Sequence, residues 1–187
     1  MKKLLSSLLV FSLMITSSVT AFASTTFYQD FNKSDAGEFP SGWTSSGGDW
    51  EINSSGRLYE TSGTSTAILY RADIDAKDQT LQAIVKPANT SYDAGIAAKY
   101  VNDSNYYTLF LADNMVKLKK KVNGSWSTLD TASVSYSTTS YSTLKLVFDG
   151  SSIKGYVDGS LKVSATDSSI SSGSPGFRTY KNKGKFD

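Results

Sequence analysis

The sequence predicts an all-β fold, an antiparallel β-sandwich or jelly roll that forms a single domain after an N-terminal export segment. Apolar and polar residues alternate over short segments, and clusters of Gly, Asn, Asp and Ser separate these segments. No helical period persists over three turns. Turn signals recur roughly every eight to twelve residues, a spacing typical of sandwiches, and no linker or internal repeat interrupts them.

Each predicted strand is an alternating or β-branched run that turn residues end. In chain order the strands are Phe27–Phe31, Trp50–Ile52, Arg57–Tyr59, Ile68–Arg71, Thr80–Lys86, Ala94–Val101, three strands between Asn105 and Leu129, Leu144–Phe148, Ile153–Val157, Leu161–Ala165, and Pro175–Phe186 as one or two strands.

Two tight turns set the register of the three central strands. Asn123-Gly124 is a strong hairpin signal, since both central residues of a type I′ turn require positive φ. The register that follows pairs Lys121 with Trp126, Lys119 with Thr128, and Leu118 with Leu129. A second two-residue turn at Asp113-Asn114 pairs Leu111 with Val116 and Leu109 with Leu118.

This register places Tyr106, Phe110 and Trp126 on the face that carries the lysines, opposite the leucines. We expect the three aromatic rings to be exposed and to bind a ligand, because an exposed apolar patch marks a binding surface. Two alternatives remain. Lys121 lies between two of the rings, and cation–π contacts of about 0.5 to 1 kcal/mol would explain the row without a ligand. A one-residue slip would instead bury all three rings.

A later hairpin, YVDGSLKV, is expected to turn through three residues, Asp158–Ser160. This turn aligns Val157 with Leu161 and Gly155 with Val163. The alignment keeps the apolar side chains on one face.

The N-terminus has the three parts of a secretory signal. They are Lys2-Lys3, an apolar run over residues 4–15, and Ala21-Phe22-Ala23 before Ser24. We expect cleavage after Ala23, which leaves residues 24–187 as a secreted, extracellular domain. A membrane anchor is less consistent with the sequence, because the run is too short and too rich in serine to span about 30 Å of hydrocarbon. No membrane association is expected after cleavage.

Charge argues against a nucleic-acid partner. The formal net charge of +2 falls to zero when Lys2 and Lys3 leave with the signal. A nucleic-acid binder normally carries a basic face that neutralises phosphates. Here the basic residues are scattered among acids, apart from the run Lys117–Lys121, whose side chains alternate between two faces.

The chain contains no cysteine and no histidine. Stability must therefore come from an apolar core, and from a metal where one binds. Catalytic Ser-His-Asp and Cys-His arrangements are excluded, together with the commonest general base near neutral pH.

Carboxylates give no convincing catalytic pair. A glycosidase requires two carboxyl groups about 5 to 9.5 Å apart. Glu51 and Glu60 are the one candidate pair, but we favour two exposed carboxylates at strand edges. Asp73 and Asp75 could ligate calcium, although a turn is the favoured interpretation. A polysaccharide lyase that uses Lys, Arg or Tyr as its base remains open, but no motif requires it.

With these strands placed, the chain resembles the extracellular sandwich modules of the concanavalin A-like (LamG-like) superfamily that are attached to bacterial glycan-degrading enzymes. The segments that carry the resemblance are FYQDFN, FPSGWTSSGGDWEINSSGRLYE, GIAAKYVNDSNYYTL, KKVNGSW, YSTLKLVFDGSSIKGYVDG and SGSPGFRTYKNKGKFD. The resemblance implies a non-catalytic module that binds a plant or microbial polysaccharide. Alternatives are a fragment or the whole of a secreted polysaccharide lyase or glycosidase, and a cell-surface adhesion or matrix protein.

The resemblance also implies ligand contacts at Lys99, Tyr107 and Arg178. Tyr106 and Tyr107 are neighbours on one strand and point to opposite faces, so this set and the aromatic set cannot line one groove. We prefer the set implied by the resemblance, since Lys and Arg donate paired hydrogen bonds to sugar hydroxyls or carboxylates. Arg178→Ala is then expected to weaken binding more than tenfold at a nearly unchanged melting temperature. The alternative for Arg178 is a structural ion pair.

Similar modules often hold a structural calcium ion between their first and last strands. Asp30 and Asp187 match the positions of its carboxylate ligands, and oxygen ligands suit calcium. The closing strand of similar modules continues beyond the equivalent of Asp187. Either this strand is shortened, or the chain belongs to a longer polypeptide with a catalytic domain.

Overall fold

The computed structural model describes residues 28–63 and 65–187, so the predicted signal at residues 1–23 lies outside the described part. Within these ranges fourteen strands form two antiparallel seven-stranded sheets. The strands are β1 (Thr44–Ser46), β2 (Trp50–Ile52), β3 (Leu58–Glu60), β4 (Thr66–Tyr70), β5 (Gln79–Lys86), β6 (Ala94–Asn102), β7 (Asn105–Ala112), β8 (Met115–Val122), β9 (Ser125–Ser133), β10 (Ser142–Asp149), β11 (Ser152–Val157), β12 (Ser160–Thr166), β13 (Ser174–Tyr180) and β14 (Lys185–Phe186). The described chain contains no helix that is long and apolar enough to cross a bilayer.

The two sheets stack as the predicted sandwich. The front sheet has the strand order β1-β4-β13-β6-β7-β8-β9, and the back sheet has the order β12-β11-β10-β5-β14-β3-β2. Alternation directs one face of each strand inward, as in β10, where Leu144, Leu146 and Phe148 are buried. They meet front-sheet residues such as Leu109 and Leu118 in one apolar core. Each such side chain contributes about 1.5 to 3 kcal/mol on full burial.

Both predicted turns of the central meander are confirmed. Asn123 and Gly124 have φ of 49° and 81°, while Asp113 and Asn114 both have 56°. As expected, Lys121 pairs with Trp126.

The predicted pairing of Leu118 with Leu129 is wrong. A β-bulge between Leu118 and Lys119 pairs Leu118 with Asp130 and Lys119 with Thr128, which leaves Leu129 as the extra residue of β9. The bulge lies beyond the residues that orient Trp126, so the face assigned to that ring is unaffected.

The later hairpin combines a tighter turn with a bulge. Asp158 and Gly159, with φ of 48° and 78°, turn in two residues, so Val157 pairs with Ser160 rather than with Leu161. A register shift next to Gly155 then restores the predicted pairing of Gly155 with Val163. Leu161 consequently lies outside the core and is 52% exposed.

The ends of the chain differ most from the prediction. Phe27 lies outside the described residues, and residues 28–30 form no strand; Phe31–Lys33 form a short 3-10 helix instead. The edge strand β1 was not predicted, because Thr44–Ser46 is polar and lacks an apolar alternation. The predicted segment Pro175–Phe186 splits into β13 and β14, which belong to different sheets.

Candidate functional site

The outer face of the front sheet carries the residues that the meander register assigned to one side. Tyr106 and Phe110 on β7 pair with Lys121 and Lys117 on β8, and Trp126 on β9 pairs with Lys121. Arg178 on β13 joins the same face, since its partner Gly95 on β6 also pairs with Phe110. The register therefore brings Arg178 to the aromatic set.

A contact between side chains of distant strands indicates that this face is concave. Arg178 and Trp126 lie on strands separated by β6, β7 and β8, which corresponds to roughly 19 Å in a flat sheet. The Arg178 Cζ nevertheless lies 5.2 Å from the centroid of the Trp126 ring. Curvature of the sheet and the inward reach of both side chains bring them together over the groove.

Only one of the three predicted aromatics is exposed. Trp126 is 40% exposed, whereas Tyr106 and Phe110 are buried, so the expected solvent exposure of these two is wrong. Trp126 packs edge-on against Tyr106, with ring centroids 5.5 Å apart, and the Arg178 guanidinium lies 5.6 Å from the Phe110 centroid. Trp126 therefore covers Tyr106, and Arg178 covers Phe110, so neither ring is open to solvent.

Beside Trp126 a cleft of about 170 Å³ opens above Tyr106. Its lining combines the Ile68 side chain with polar groups of Ser46, Asp103 and Lys121. Asp103 accepts hydrogen bonds from Ser46 Oγ at 2.6 Å and from the Tyr100 hydroxyl at 2.8 Å. The cleft surface is mainly polar, with hydrogen-bonding groups that suit a ligand with hydroxyls.

A larger depression of about 630 Å³ lies at the far end of the β7–β8 hairpin. Asp113–Met115 and Ser133–Tyr136 line it, and none of the predicted site residues does. It contains no exposed aromatic ring flanked by cations, so the concave face is the better candidate.

Arg178 is buried and is held in place by an ion pair with the partly exposed Asp93. Its side chain is 3% exposed, its Nη1 lies 2.7 Å from Asp93 Oδ2, and its Nε donates to the Tyr106 hydroxyl at 3.3 Å. Burial raises the pKa of Tyr106, and the nearby guanidinium opposes this effect. The structural ion pair that the sequence offered as the alternative is therefore present. The ligand contact stays a prediction.

Lys99 and Tyr107 lie on the opposite side of the front sheet from Arg178. Tyr107 is fully buried with its ring 5.1 Å from Phe148, and the Lys99 Nζ lies 4.7 Å from the same ring. Burial lowers the pKa of Lys99, while Asp78 opposes this shift. The structure therefore does not bring together the set Lys99, Tyr107 and Arg178.

Tyr107 belongs to a hydrogen-bonded network that sequence reasoning missed. Its hydroxyl donates to Asp167 at 2.5 Å, and Lys120 forms an ion pair with the same carboxylate. Burial would raise the pKa of Asp167, but hydrogen bonds from Lys120, Tyr107 and Ser169 outweigh it and hold the pKa at about 2. The sequence contains one signal for this network. Side chains alternate along a strand, so Lys120 points to the opposite face from Lys119 and Lys121, where Tyr107 also lies.

The predicted calcium ligands are engaged by protein groups. Asp30 Oδ1 accepts hydrogen bonds from the backbone and side-chain nitrogens of Asn32, each at 3.0 Å, and Asp187 forms an ion pair with Arg57. In residues 28–63 and 65–187 no cluster of three or more metal-ligating side chains occurs. A calcium ion at Asp187 would have to displace the Arg57 guanidinium, so this donor set fits calcium poorly without rearrangement.

Glu51 and Glu60 do not form a pair across their hairpin. Glu51 pairs with Tyr59 and Glu60 with Trp50, so adjacent positions direct the two carboxylates to opposite faces. Glu60 is buried, not exposed as expected, and accepts backbone hydrogen bonds from Ser62 and Gly63 at 2.9 and 2.8 Å. It closes a loop.

The RADID segment forms the favoured turn. Ile74 N donates to Arg71 O at 3.1 Å, and Arg71 binds the Asp73 carboxylate with two nitrogens, at 2.8 and 2.6 Å. This bidentate contact lowers the pKa of Asp73. The Asp73 carboxylate therefore stabilises this turn through its contact with Arg71.

Neither a known family model nor a curated protein matches this sequence. Solved structures do match the fold. The carbohydrate-binding module CBM66 of Bacillus subtilis is 21% identical with a TM-score of 0.71, over 78% of this chain and 92% of that chain. The β-glucanase of Bacillus licheniformis is 16% identical with a TM-score of 0.63, over 88% and 94%. The carbohydrate recognition domain of Emp47p is 17% identical with a TM-score of 0.61, over 84% and 89%. These similarities confirm the β-sandwich fold that the sequence predicts.

Proposed function

We propose that this chain is a secreted, non-catalytic carbohydrate-binding module for a plant or microbial polysaccharide, and that the concave face of the front sheet is its binding surface. The observation that carries the proposal is the half-exposed Trp126 ring beside the polar cleft. A flat aromatic face packs against the apolar side of a sugar ring, and neighbouring polar groups hydrogen-bond its hydroxyls.

The comparisons support this proposal at the level of architecture. Two of the similar structures are a carbohydrate-binding module and a carbohydrate recognition domain, and a third is a β-glucanase. Since one fold serves binding and hydrolysis alike, the choice between them depends on the residues of the site. The divergent directions of Glu51 and Glu60 and the absence of histidine and cysteine favour binding.

We also propose that the domain is secreted and that it serves a catalytic domain on the same polypeptide. Cleavage after Ala23 would release the domain outside the cell, where polysaccharides occur. A catalytic domain on the same polypeptide would gain from such a module, because binding raises the local concentration of its substrate.

Affinity electrophoresis and calorimetry of residues 24–187 test the proposal against pectins, fructans, xylans and β-glucans. We expect retardation and a heat of binding with at least one of these polymers, without release of sugar. A folded protein that binds none of them would contradict the proposal. Release of reducing ends or unsaturated uronides would establish an enzyme instead. Retention on cell-wall extracts that persists after polysaccharide digestion would indicate an adhesion protein.

A further inference from the structure

Three cationic groups surround the exposed Trp126 ring of the concave face. The Nζ atoms of Lys119 and Lys121 lie 5.2 and 5.7 Å from the centroid of the Trp126 ring, and Arg178 Cζ lies 5.2 Å from it. Each contact with the ring is attractive by about 0.5 to 1 kcal/mol at an exposed site. The three positive charges repel one another, so the cluster favours an anion nearby.

The protein neutralises only part of this charge. Arg178 pairs with Asp93, and Lys117 at the edge of the cluster pairs with Asp113. Within residues 28–63 and 65–187, no carboxylate lies at ion-pair distance from Lys119 or Lys121.

Asp103 shares the cleft with Lys121, but Ser46 and Tyr100 hold its carboxylate by hydrogen bonds. Both donors are neutral hydroxyls, so Asp103 keeps its negative charge, but it is not at ion-pair distance from Lys121. Among the described residues, the ammonium groups of Lys119 and Lys121 therefore have no carboxylate partner and can bind an anionic ligand.

Protection of a sheet edge does not explain these lysines. Lysine is common on exposed edge strands, where its charge prevents pairing with another chain. Strand β8 is not an edge strand, because β9 pairs along it and forms the edge itself. Lys119 and Lys121 instead project into the concave face next to Trp126.

We propose that the polysaccharide bound by the concave face is acidic, with uronic-acid units whose carboxylate binds Lys119 and Lys121 while the sugar ring packs on Trp126. This inference rests on the proposed function. The two lysines are two residues apart on one strand, about 6.7 Å between Cα atoms, and both ammonium groups lie within about 6 Å of the Trp126 ring centroid. Lysine side chains are flexible, so both ammonium groups can turn to a carboxylate beside the ring and donate charge-assisted hydrogen bonds to it.

Matched polymers that differ only in charge test the inference. Polygalacturonate and alginate would each be compared with the product in which the carboxyl groups are reduced to alcohols, by calorimetry in about 50 mM and 200 mM salt. We expect at least one acidic polymer to bind tenfold or more tightly than its neutral product, with the difference shrinking as salt increases.

A double variant identifies the cations responsible. Lys119→Gln with Lys121→Gln is expected to lower affinity for the acidic polymer at least tenfold, while affinity for the neutral product changes little. Lys145→Gln is the matched control, because its Nζ lies 5.3 Å from the Tyr156 ring on the back sheet. It should leave binding unchanged, since it retains the charges next to Trp126.

Several outcomes would overturn the inference, and they differ from failure of the proposed function. Equal affinity for charged and neutral polymers would remove the acidic preference but keep a carbohydrate-binding module. An equal loss with Lys145→Gln, or equally tight binding of duplex DNA, would indicate general attraction of polyanions and would also exclude the site. Absence of binding to every glycan would reject both proposals.

Discussion

Tyr106 and Tyr107 are neighbours in sequence and both fully buried, yet they serve opposite sides of one sheet. The Tyr106 ring supports Trp126 on the concave face, and the Tyr107 hydroxyl donates to Asp167 on the other side. One strand therefore carries both the floor of the candidate site and part of the network that holds the chain around Asp167.

Trp126→Ala is expected to weaken polysaccharide binding by tenfold or more, because a partly exposed Trp at the centre of an interface often contributes about 2 kcal/mol or more. The melting temperature should fall by only a few degrees, since the ring is 40% exposed. Calorimetry and thermal unfolding measure the two effects. Tyr141→Ala is the control: its ring is 36% exposed and also lies near two cations, Arg57 and Lys86. Equal losses of binding in both variants would reject the concave face.

Arg178→Ala is expected to destabilise the fold, in contrast to the nearly unchanged melting temperature that its predicted role as a ligand contact implied. Removal of one partner from a fully buried ion pair costs about 3 to 5 kcal/mol. Because the Asp93 side chain is 20% exposed and water can solvate its charge in part, we expect a smaller loss of about 2 to 3 kcal/mol, or roughly 5 to 10 °C in this domain. Urea unfolding measures the change.

The pair Lys117–Asp113 provides the control for Arg178, because its carboxylate is 57% exposed. Lys117→Ala should cost less than about 1 kcal/mol. Substitution of Asp93 together with Arg178 by apolar residues should recover part of the loss. A melting temperature that Arg178→Ala leaves unchanged would show that the pair contributes little.

Asp167→Asn is expected to lower stability at neutral pH and to change its acid dependence. The folded pKa of about 2 lies below the ordinary value of 3.8, so the unfolded chain binds a proton first as pH falls. The stabilisation is complete above about pH 5 and mostly lost by about pH 2, and it reaches at most about 2 to 3 kcal/mol before solvent screening.

Unfolding in urea between pH 2 and 7 tests this dependence. The variant should lose stability less steeply below pH 4 than the natural sequence does. Asp35→Asn, in an exposed loop, should retain the natural acid dependence. Identical pH profiles for all three proteins would remove the network as a source of stability.

Calcium binding at Asp30 and Asp187 stays a prediction of the family resemblance, and thermal unfolding tests it. If the ion binds the folded state alone, calcium at ten to a hundred times its Kd adds about 1.4 to 2.7 kcal/mol of stability. We expect millimolar calcium to be needed, because it competes with Arg57 for Asp187. Asp187→Asn should abolish the effect, and magnesium is the control ion. Equal melting temperatures in calcium and in EDTA would remove both residues as ligands.

Local signals in the sequence predicted most of the sheet architecture. Asn123-Gly124 and Asp113-Asn114 demand positive φ, so each turn defined the pairing of the strands beside it. The bulge at Leu129 could not be predicted. The strand on each side of the extra residue keeps its regular alternation of side chains, and no particular residue type marks the bulge.

The candidate site was only partly predictable because its decisive contacts cross several strands. The face of Trp126 followed from its hairpin, but its contact with Arg178 depends on the curvature of the whole sheet. The Asp93 partner of Arg178 lies 85 residues away in sequence, and no pattern connects the two. The alternation of side chains along β7 correctly placed Tyr106 and Tyr107 on opposite faces of the sheet. It gave no information about whether either ring is buried.

Strand β14 has a consequence for the order of assembly. Its two residues pair with β3 on one side and β5 on the other, and they connect the two parts of the back sheet. That sheet cannot close until residue 186 has been synthesised, because its pairings span most of the chain. The hairpins of β6–β9 and of β10–β12 join strands that are consecutive in the chain and can form earlier, so closure of the back sheet is a late step of folding.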